Sequence, residues 1–537
     1  MKISINTPKR ILAVAFSVTL LTPHALHAKT PGDIFVVAAN LSQMITLDPA
    51  AIQESFTAGI MRNVCDALIA FDPDDASKIA PGIAESWTVS NDGSAYTLKL
   101  RKGLRFPSGN PVTADDIVWS IKRNLQLNLA NALRLREWDI TKDNVDSVVR
   151  ALDAGTLAIA PSRPWAPSLF LFAFTDFRVA PVIDRKETLK HEVNGDLGNK
   201  WLATSSACAG PFRIATWRPQ DLLTLERNDD YWRLKPAMKR IVMRHVPESA
   251  SQRLLLEQGD IDHAMDIDPA DFKALERNPN VRIEYTPSLA ISYMMFNMKD
   301  ERFRNPKLFE AFRYLFDYQG LEATLLKNHS VVRQSPVPLG AFGALPKSYM
   351  PYKLDIERAR KLLAEAGFPG GFSAEIIVLN SFPYPDLAQH LQQNAEKIGV
   401  RLKITQMIGA QLFQRARSRK YEIYMAGYGF SYPDANAVML RHAYNPDNSD
   451  KSNDHMSVAW RAAWDPGAWI NDTVRAAQTE RDEGKRLAMY QELQKRHNAS
   501  SPLIYLFQRL SVNAVGKDVK VFKHNQLADD FAGIEKR

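Results

Sequence analysis

Between positions 355 and 427 the apolar residues switch repeatedly between helical and strand spacing, and no other feature of this chain restricts its fold so tightly. DIERARKLLAEAGF puts Ile356, Ala359, Leu362, Leu363 and Ala366 on one helical face and stops at Gly367, a residue suited to the left-handed conformation that ends helices. The spacing then predicts a strand over 374–379, a helix over 386–398 ending at Gly399, and a strand over 400–406. A helix over 410–420 and a strand over 421–427 complete the run. Strands separated by helices pair in parallel through right-handed crossovers, so this part is an α/β unit with an open parallel sheet. Ligands of such sheets bind in the crevice beyond the carboxyl ends of the strands. Two segments lie just past those ends, NSFPYP (380–385) and GYGFSYPDAN (427–436), and both are rich in aromatic residues with Pro or Gly. Aromatic rings with polar tips suit a pocket wall. Asn380, Phe382, Tyr384, Tyr428, Phe430, Ser431 and Tyr432 are therefore candidate ligand-binding residues. The competing reading is that Tyr428, Phe430 and Tyr432 seal the sheet end against a neighbouring domain.

The rest of the chain has a different grammar. ESWTV, a turn at Asn91-Asp92-Gly93, and YTLKL with Tyr96, Leu98 and Leu100 alternating against polar residues predict a β-hairpin. Thr113 is placed to cap a helix, with Asp116 three residues on. From 207 to 289 the segments GPFRIATW, LLTLERN, KRIVMRHV and VRIEYTP read as strands, interrupted by a helix at ESASQRLLLEQGDID. A length of 537 residues calls for two or three domains.

MKISINTPKR followed by ILAVAFSVTLL, Pro23 and HALHA has the three regions of an export signal, predicting cleavage after Ala28; an uncleaved amphipathic anchor is the alternative. Three positive charges, Lys2, Lys9 and Arg10, lie in that leader, which brings the formal +8 down to +5. No Lys/Arg run forms a stripe for nucleic acid, and nucleic acid is not expected as a partner. Apolar content of 45% and 24% charged residues describe a globular protein. The first cysteine, Cys65, is too far from the leader to take a lipid anchor, so the expected location is the periplasm. Cys65 and Cys208 either form one disulfide or stay as two buried thiols, a choice that spacing leaves open.

PGIAESWTVSNDGSAYTLKLRKGLRFPSGNPVTADDIVWS closely resembles the signature of the periplasmic solute-binding proteins for peptides, oligopeptides and nickel that serve ATP-binding-cassette importers. The matching residues include Glu85, Trp87, Asp92, Gly93, Tyr96, Leu100, Arg101, Gly103, Phe106, Gly109 and Asp115. The resemblance extends over AGPFRIATW, LERNDDYW, LLLEQGDID, DIERARKLLAEAGF and YQELQKRHNASSPLIYLFQ. It implies an α/β, bilobal, hinged periplasmic-binding-protein fold with an extra inserted domain. On that pattern 1–28 is the signal peptide, 29–69, 207–289 and 505–537 form a discontinuous first lobe, 70–206 is the inserted structural domain, and 290–504 is the second lobe. The implied function is a receptor, expected to be a monomer, that closes over a peptide-like or other polar organic solute and delivers it to a membrane permease. The chain has no GxxxxGK[ST] phosphate loop, so it would supply recognition and no energy.

Departures from the family pattern bear on the ligand. Where dipeptide and oligopeptide members carry an aspartate for the peptide's α-ammonium, this chain has Ser431, and Asp434 reads as the cap of the helix beginning ANAVML. The arginine that dipeptide members place in the loop matching NSFPYP is missing. Both ends of the ordinary dipeptide clamp are thus absent, which implies a longer or modified peptide, an opine-like or sugar-containing conjugate, or another polar solute. The family's ligand-facing segment near LDPAAIQESF adds Gln53, Glu54 and Ser55 to the candidates. Glu54 is the one that could supply the charge Ser431 lacks, against the plainer reading of an exposed glutamate.

No HExxH, GxSxG or CxxC is present, and the histidines lack metal-ligand spacing, so neither cofactor nor metal is expected. A periplasmic hydrolase acting on a conjugated solute in the cleft is the runner-up, and no acid–base pair or activated nucleophile can be named for it.

Overall fold

The computed structural model describes residues 30–72, 77–265, 267–430, 432–452, 454, 456–525 and 529–537; the leader, Ser431 and His455 lie outside the described residues, as do the side chains of Gln43 and Pro269. Along the chain come β1 (Ile34–Ala39), α1 (Ser55–Met61), β2 (Ala84–Val89), β3 (Tyr96–Leu100), α2 (Ala114–Leu127), β4 (Val149–Asp153) and β5 (Thr156–Ile159). Then follow β6 (Phe212–Arg218), β7 (Leu222–Arg227), β8 (Arg240–His245), α3 (Ser249–Gln258), β9 (His263–Ala264), β10 (Val281–Phe296) and β11 (Ser330–Val332). The last part holds α4 (Ile356–Glu365), β12 (Ser373–Leu379), α5 (Tyr384–Glu396), β13 (Arg401–Met407), α6 (Gly409–Arg417), β14 (Ile423–Gly429), α7 (Ala435–His442), α8 (Glu483–Ser500) and β15 (Leu503–Gly516).

Eleven strands join in one sheet, ordered β13-β12-β14-β10-β15-β9-β1-β8-β7-β6 with β11 beside β15. β12 pairs in parallel with β13 and with β14, as the strand–helix alternation predicts. That half of the sheet is covered on both faces, and its strands alternate between two cores. Met294, Phe296, Ile376, Val378, Ile423 and Met425 enter one core. Tyr293, Met295, Ile377, Tyr424 and Ala426 enter the other, which explains why these strands read as continuous apolar runs. At the other end β1, β8, β7 and the C-terminal segment enclose a core that includes Phe35, Val37, Leu223, Met243 and Phe531.

β10 and β15 belong to both ends. Their antiparallel ladder runs from Val281–Gly516 to Pro287–Leu510, breaks, and resumes from Ile291–Gln508 to Met295–Leu503. Pro287 has no N–H to donate, so a gap falls naturally beside it. Gln508, fully buried, fills the gap: its Nε2 donates to the Ser288 and Leu339 carbonyls (2.9 and 3.1 Å) and its Oε1 accepts from the Leu339 N–H (2.7 Å).

A separate four-stranded sheet, β2-β3-β5-β4, is packed with α2 around Tyr96, Leu98, Ile117, Ile121 and Phe170. The Thr113 capping box forms as expected, Asp116 N donating to Thr113 Oγ1 and Thr113 N to Asp116 Oδ2. Arg123 of α2 reaches the body of the molecule through two bonds to Asp48 (2.9 and 2.6 Å), both side chains fully buried.

Two of the boundaries that differ from expectation bear on the candidate residues. β14 continues to Gly429, with Tyr428 opposite Ile291, because the ladder to β10 runs two residues further than the apolar pattern shows. α5 begins at Tyr384, since Pro385 is tolerated in a first helical turn where no N–H is needed.

Cys65 and Cys208 form a disulfide, with Cα atoms 4.8 Å apart, and so resolve the choice left open by spacing. The closed loop of 143 positions encloses nearly all of the four-stranded sheet's unit and pins its two chain ends together. Loop-closure entropy for so long a loop is worth about 5 kcal/mol. Cys65→Ala with Cys208→Ala is expected to lower the urea midpoint markedly, with the far-UV spectrum of the native state retained. An unchanged midpoint would contradict this role.

Candidate functional site

The second-lobe wall is built around Asp434. Its carboxylate caps α7 by accepting from Asn436 N (2.8 Å), as expected, and both of its oxygens accept from Arg486 Nη2 of α8 (2.6 and 2.8 Å). Both side chains are essentially inaccessible, so losing either partner would strand a buried charge at a cost of about 3–5 kcal/mol. The pair ties the turn after β14 to the longest helix described. Tyr428 is half-buried, its ring 5.0 Å from Phe430 and 5.1 Å from His442, and burial raises its phenol above the usual range. Phe430 is core. Tyr432 accepts from Asn436 Nδ2 (2.9 Å) and turns its ring to Trp138, 6.0 Å away on the four-stranded unit. Tyr432 thus packs against the four-stranded unit, a contact that both the pocket reading and the sealing reading allow.

The segment 380–385 is placed differently from expectation. Tyr384 is 1% exposed in the second-lobe core, its hydroxyl 3.5 Å from Ser292 Oγ and occupying the space that any side chain at Gly427 would need. Phe382 packs on that core and against His329 (5.3 Å), and of the three candidates here Asn380 alone is exposed, with Ser381 beside it. Pro385 starts the helix early, and Tyr384, its first residue, turns inward. Ser431 lies outside the described residues.

The candidates expected from the first lobe lie at the start of α1 and just before it. Gln53 and Ser55 are exposed; Glu54 is partly buried, with Oε2 enclosed and without a hydrogen-bond partner. Ser55, Phe56, Gly59 and Ile60 of α1 border a cavity of about 210 Å³ closed by Ser511, Val512 and Asn513 of β15 and by His524, Asp529 and Phe531. Asp529 lies between His524 (2.5 Å) and His263 (3.6 Å).

At its other end α1 delivers Arg62 to a group of charges. Arg178 takes Asp176 with two bonds (2.9 and 2.8 Å), Arg134 stands 3.7 Å from the same carboxylate, and Arg62 donates to the Thr175 carbonyl (3.2 Å). Burial would raise the Asp176 carboxyl, but Arg178 and Arg134 outweigh it and hold it far below the usual range. Burial pushes Arg62 down to about 10, against the pull of Asp176 and helped by Arg178 and Arg134. A narrow crevice here is bordered by Arg134, Glu137, Trp138, Asp176 and Tyr432. Across it Glu137 pairs with Arg441 of α7, and nearby the Ala166 N–H donates to the Gln478 carbonyl (2.8 Å). The two walls therefore meet at this end.

Among the described residues no group of three or more His, Cys, Asp or Glu could hold a metal, and no helix is long and apolar enough to cross a membrane.

Residues 78–450 match the family model described as "Bacterial extracellular solute-binding proteins, family 5 Middle". The chain belongs to this family. It is the solute-capturing component of an ATP-binding-cassette import system, and the hydrolase alternative finds no support. An Escherichia coli K12 protein named "Probable D,D-dipeptide-binding periplasmic protein DdpA" is 26% identical to this binding protein over 540 residues, 99% of each chain. The "Glutathione-binding protein GsiB" of Shigella flexneri serotype 5b is 27% identical over 403 residues, 75% of this chain and 74% of that one. The solved structure of the "ABC transporter-associated periplasmic binding protein DppA from Helicobacter pylori in complex with peptide STSA" superposes with a TM-score of 0.75 at 22% identity, over 94% of this chain and 98% of that one. These relatives are binding proteins and share the bilobal fold.

Arg62, Arg134, Glu137, Asp176 and Arg441 were not candidates on sequence. The only local signal was Asp176-x-Arg178, and it does not reveal which distant charges converge on it.

Behind Tyr428 and Phe430 the solute-binding protein holds two fully buried histidines, His442 and His497, on either side of the Tyr505 hydroxyl (3.0 and 2.8 Å). Burial keeps both below their usual range, His497 at about 3. The unfolded chain, with histidines titrating near about 6.5, takes up protons that the folded chain refuses. This contribution is complete above about pH 6.5 and is lost progressively as pH falls toward 3, at up to about 1.4 kcal/mol per unit for each histidine. The urea midpoint is expected to fall between pH 7 and pH 5, and His497→Gln to flatten that fall. Equal pH dependence in both proteins would contradict the assignment.

Proposed function

We propose that the protein is exported through residues 1–28, acts in the periplasm as a monomer, and captures a modified or conjugated peptide-like solute for an inner-membrane permease. The units carrying this are a first lobe from 29–69, 207–289 and 505–537, an inserted domain from 70–206, and a second lobe from 290–504. The observation that carries the reading is the placement of α1. It borders the 210 Å³ cavity with Ser55, Phe56, Gly59 and Ile60, and at its end Arg62 reaches Thr175 and Asp176, the latter beside the crevice that Tyr432 borders. At 1.5 Å per residue this floor is about 10 Å long, room for about three extended residues at 3.3 Å each. Glu54, at the cavity end, is the group offered to a cationic part of the solute. Relatives named for a D,D-dipeptide and for glutathione support a ligand other than an ordinary L-dipeptide. For closure to follow binding, the solute must touch both walls only when they are shut.

Thermal-shift titration of the protein without its leader, against D-alanyl-D-alanine, glutathione and simple L-dipeptides, tests this. A rise in melting temperature with a modified peptide, reduced by Glu54→Gln for ligands carrying an ammonium and unaltered for neutral ones, is the expected result. Micromolar binding of plain L-dipeptides with a strict need for the free amine would overturn it.

A further inference from the structure

The first lobe and the four-stranded unit contribute three guanidiniums, Arg62, Arg134 and Arg178, around one carboxylate, Asp176. Arg178 alone satisfies both oxygens of Asp176 with two short bonds. Arg134, with its side chain 27% exposed, makes one bond to Asn131 Oδ1 (2.9 Å) and keeps only the 3.7 Å approach to Asp176. Arg62 donates to the Thr175 carbonyl and shares the same carboxylate electrostatically. The next nearest acid, Glu137, is taken by a fourth arginine, Arg441, from the opposite wall. Three guanidiniums therefore share the one carboxylate of Asp176, while Arg441 has Glu137 and, at 3.9 Å, Asp454; Arg134 and Asp176 border a crevice rimmed by the rings of Trp138 and Tyr432.

Such an excess of positive charge costs free energy unless something negative offsets it, and the Glu137–Arg441 pair indicates what that is. A carboxylate from one wall already reaches an arginine of the other when the walls meet.

We propose that this crevice is an anion subsite, in which Arg62 and Arg134 from one wall and Arg441 from the other receive a carboxylate of the solute. The proposal rests on the reading that the solute lies along α1 between the lobes. It adds that the negative end is held from the first-lobe side, at the Arg62 end of α1, rather than by a second-lobe loop such as 380–385. Because Arg441 reaches the crevice only when the lobes meet, the solute's carboxylate would draw them together by displacing Glu137 from Arg441. A ligand lacking the anion would leave the closed and open states with no such difference. Charge-assisted bonds of this kind are the strong class, and planar guanidiniums match carboxylate geometry.

The test uses calorimetry on the full chain without its leader. The probes are di- and tripeptides built from Gly, D-Ala, L-Ala and γ-linked Glu, each made as the C-terminal carboxylate and as the C-terminal carboxamide. Peptides that bind as acids are expected to lose about tenfold to a hundredfold as amides, and Arg134→Gln is expected to bring the two forms to the same affinity. Amides binding as tightly as acids would overturn the anion subsite and leave capture between the lobes standing. So would an acid-to-amide ratio left intact by Arg134→Gln. If no peptide binds in either form, both the subsite and the peptide-like reading fall. Should Arg134→Gln not fold, the acid–amide comparison on the unaltered protein decides alone.

Discussion

β10 and β15 belong to both ends of the main sheet, and their ladder breaks beside Pro287 before shifting register again at Ser292–Tyr293. Everything else about the site depends on that break. A continuous ladder would weld the sheet into one stiff body, and a longer break would leave buried backbone groups without partners. Gln508 resolves the conflict by lending its side-chain amide to the orphaned carbonyls of Ser288 and Leu339. The joint is thus satisfied without being a strand pair, in a family whose members bind solutes by closing two lobes.

On either side of the joint, charge is distributed unequally. The second-lobe wall spends its acid, Asp434, on a helix cap and on Arg486, so it offers the crevice tyrosine rings instead of a carboxylate. Free charge sits on the opposite side, with Glu54 near one end of α1 and the arginines around Asp176 near the other. On the proposed reading, that polarity suits a solute with separated positive and negative groups. The histidines flanking Tyr505 stay neutral behind the second-lobe wall, keeping a further cation away from the arginines.

Much of this was legible locally. Helix caps at Thr113 and Asp434 follow from one residue and its neighbours within a turn, and both form. The parallel strands followed from spacing alone. What failed depended on distance along the chain. Arg62 and Arg134 are brought to Asp176 by the docking of whole units, which no linear pattern encodes. The Cys65–Cys208 bond could not be chosen over two thiols, because their separation depends on how the enclosed unit closes at its base. Tyr384 was read as a pocket residue because NSFPYP looks like a loop, whereas Pro385 opens a helix and sends the ring into the core.

On the proposed reading, one solute touches both α1 and the turn after β14. Amide hydrogen exchange, followed by mass spectrometry, can compare the protein carrying whatever solute co-purifies with it against the same protein stripped by denaturation and refolding. The account predicts that slowed exchange appears together in 53–62 and 428–441, with the β10–β15 joint altered alongside. Slowing confined to one of those segments, or to neither while a solute is bound, would contradict it.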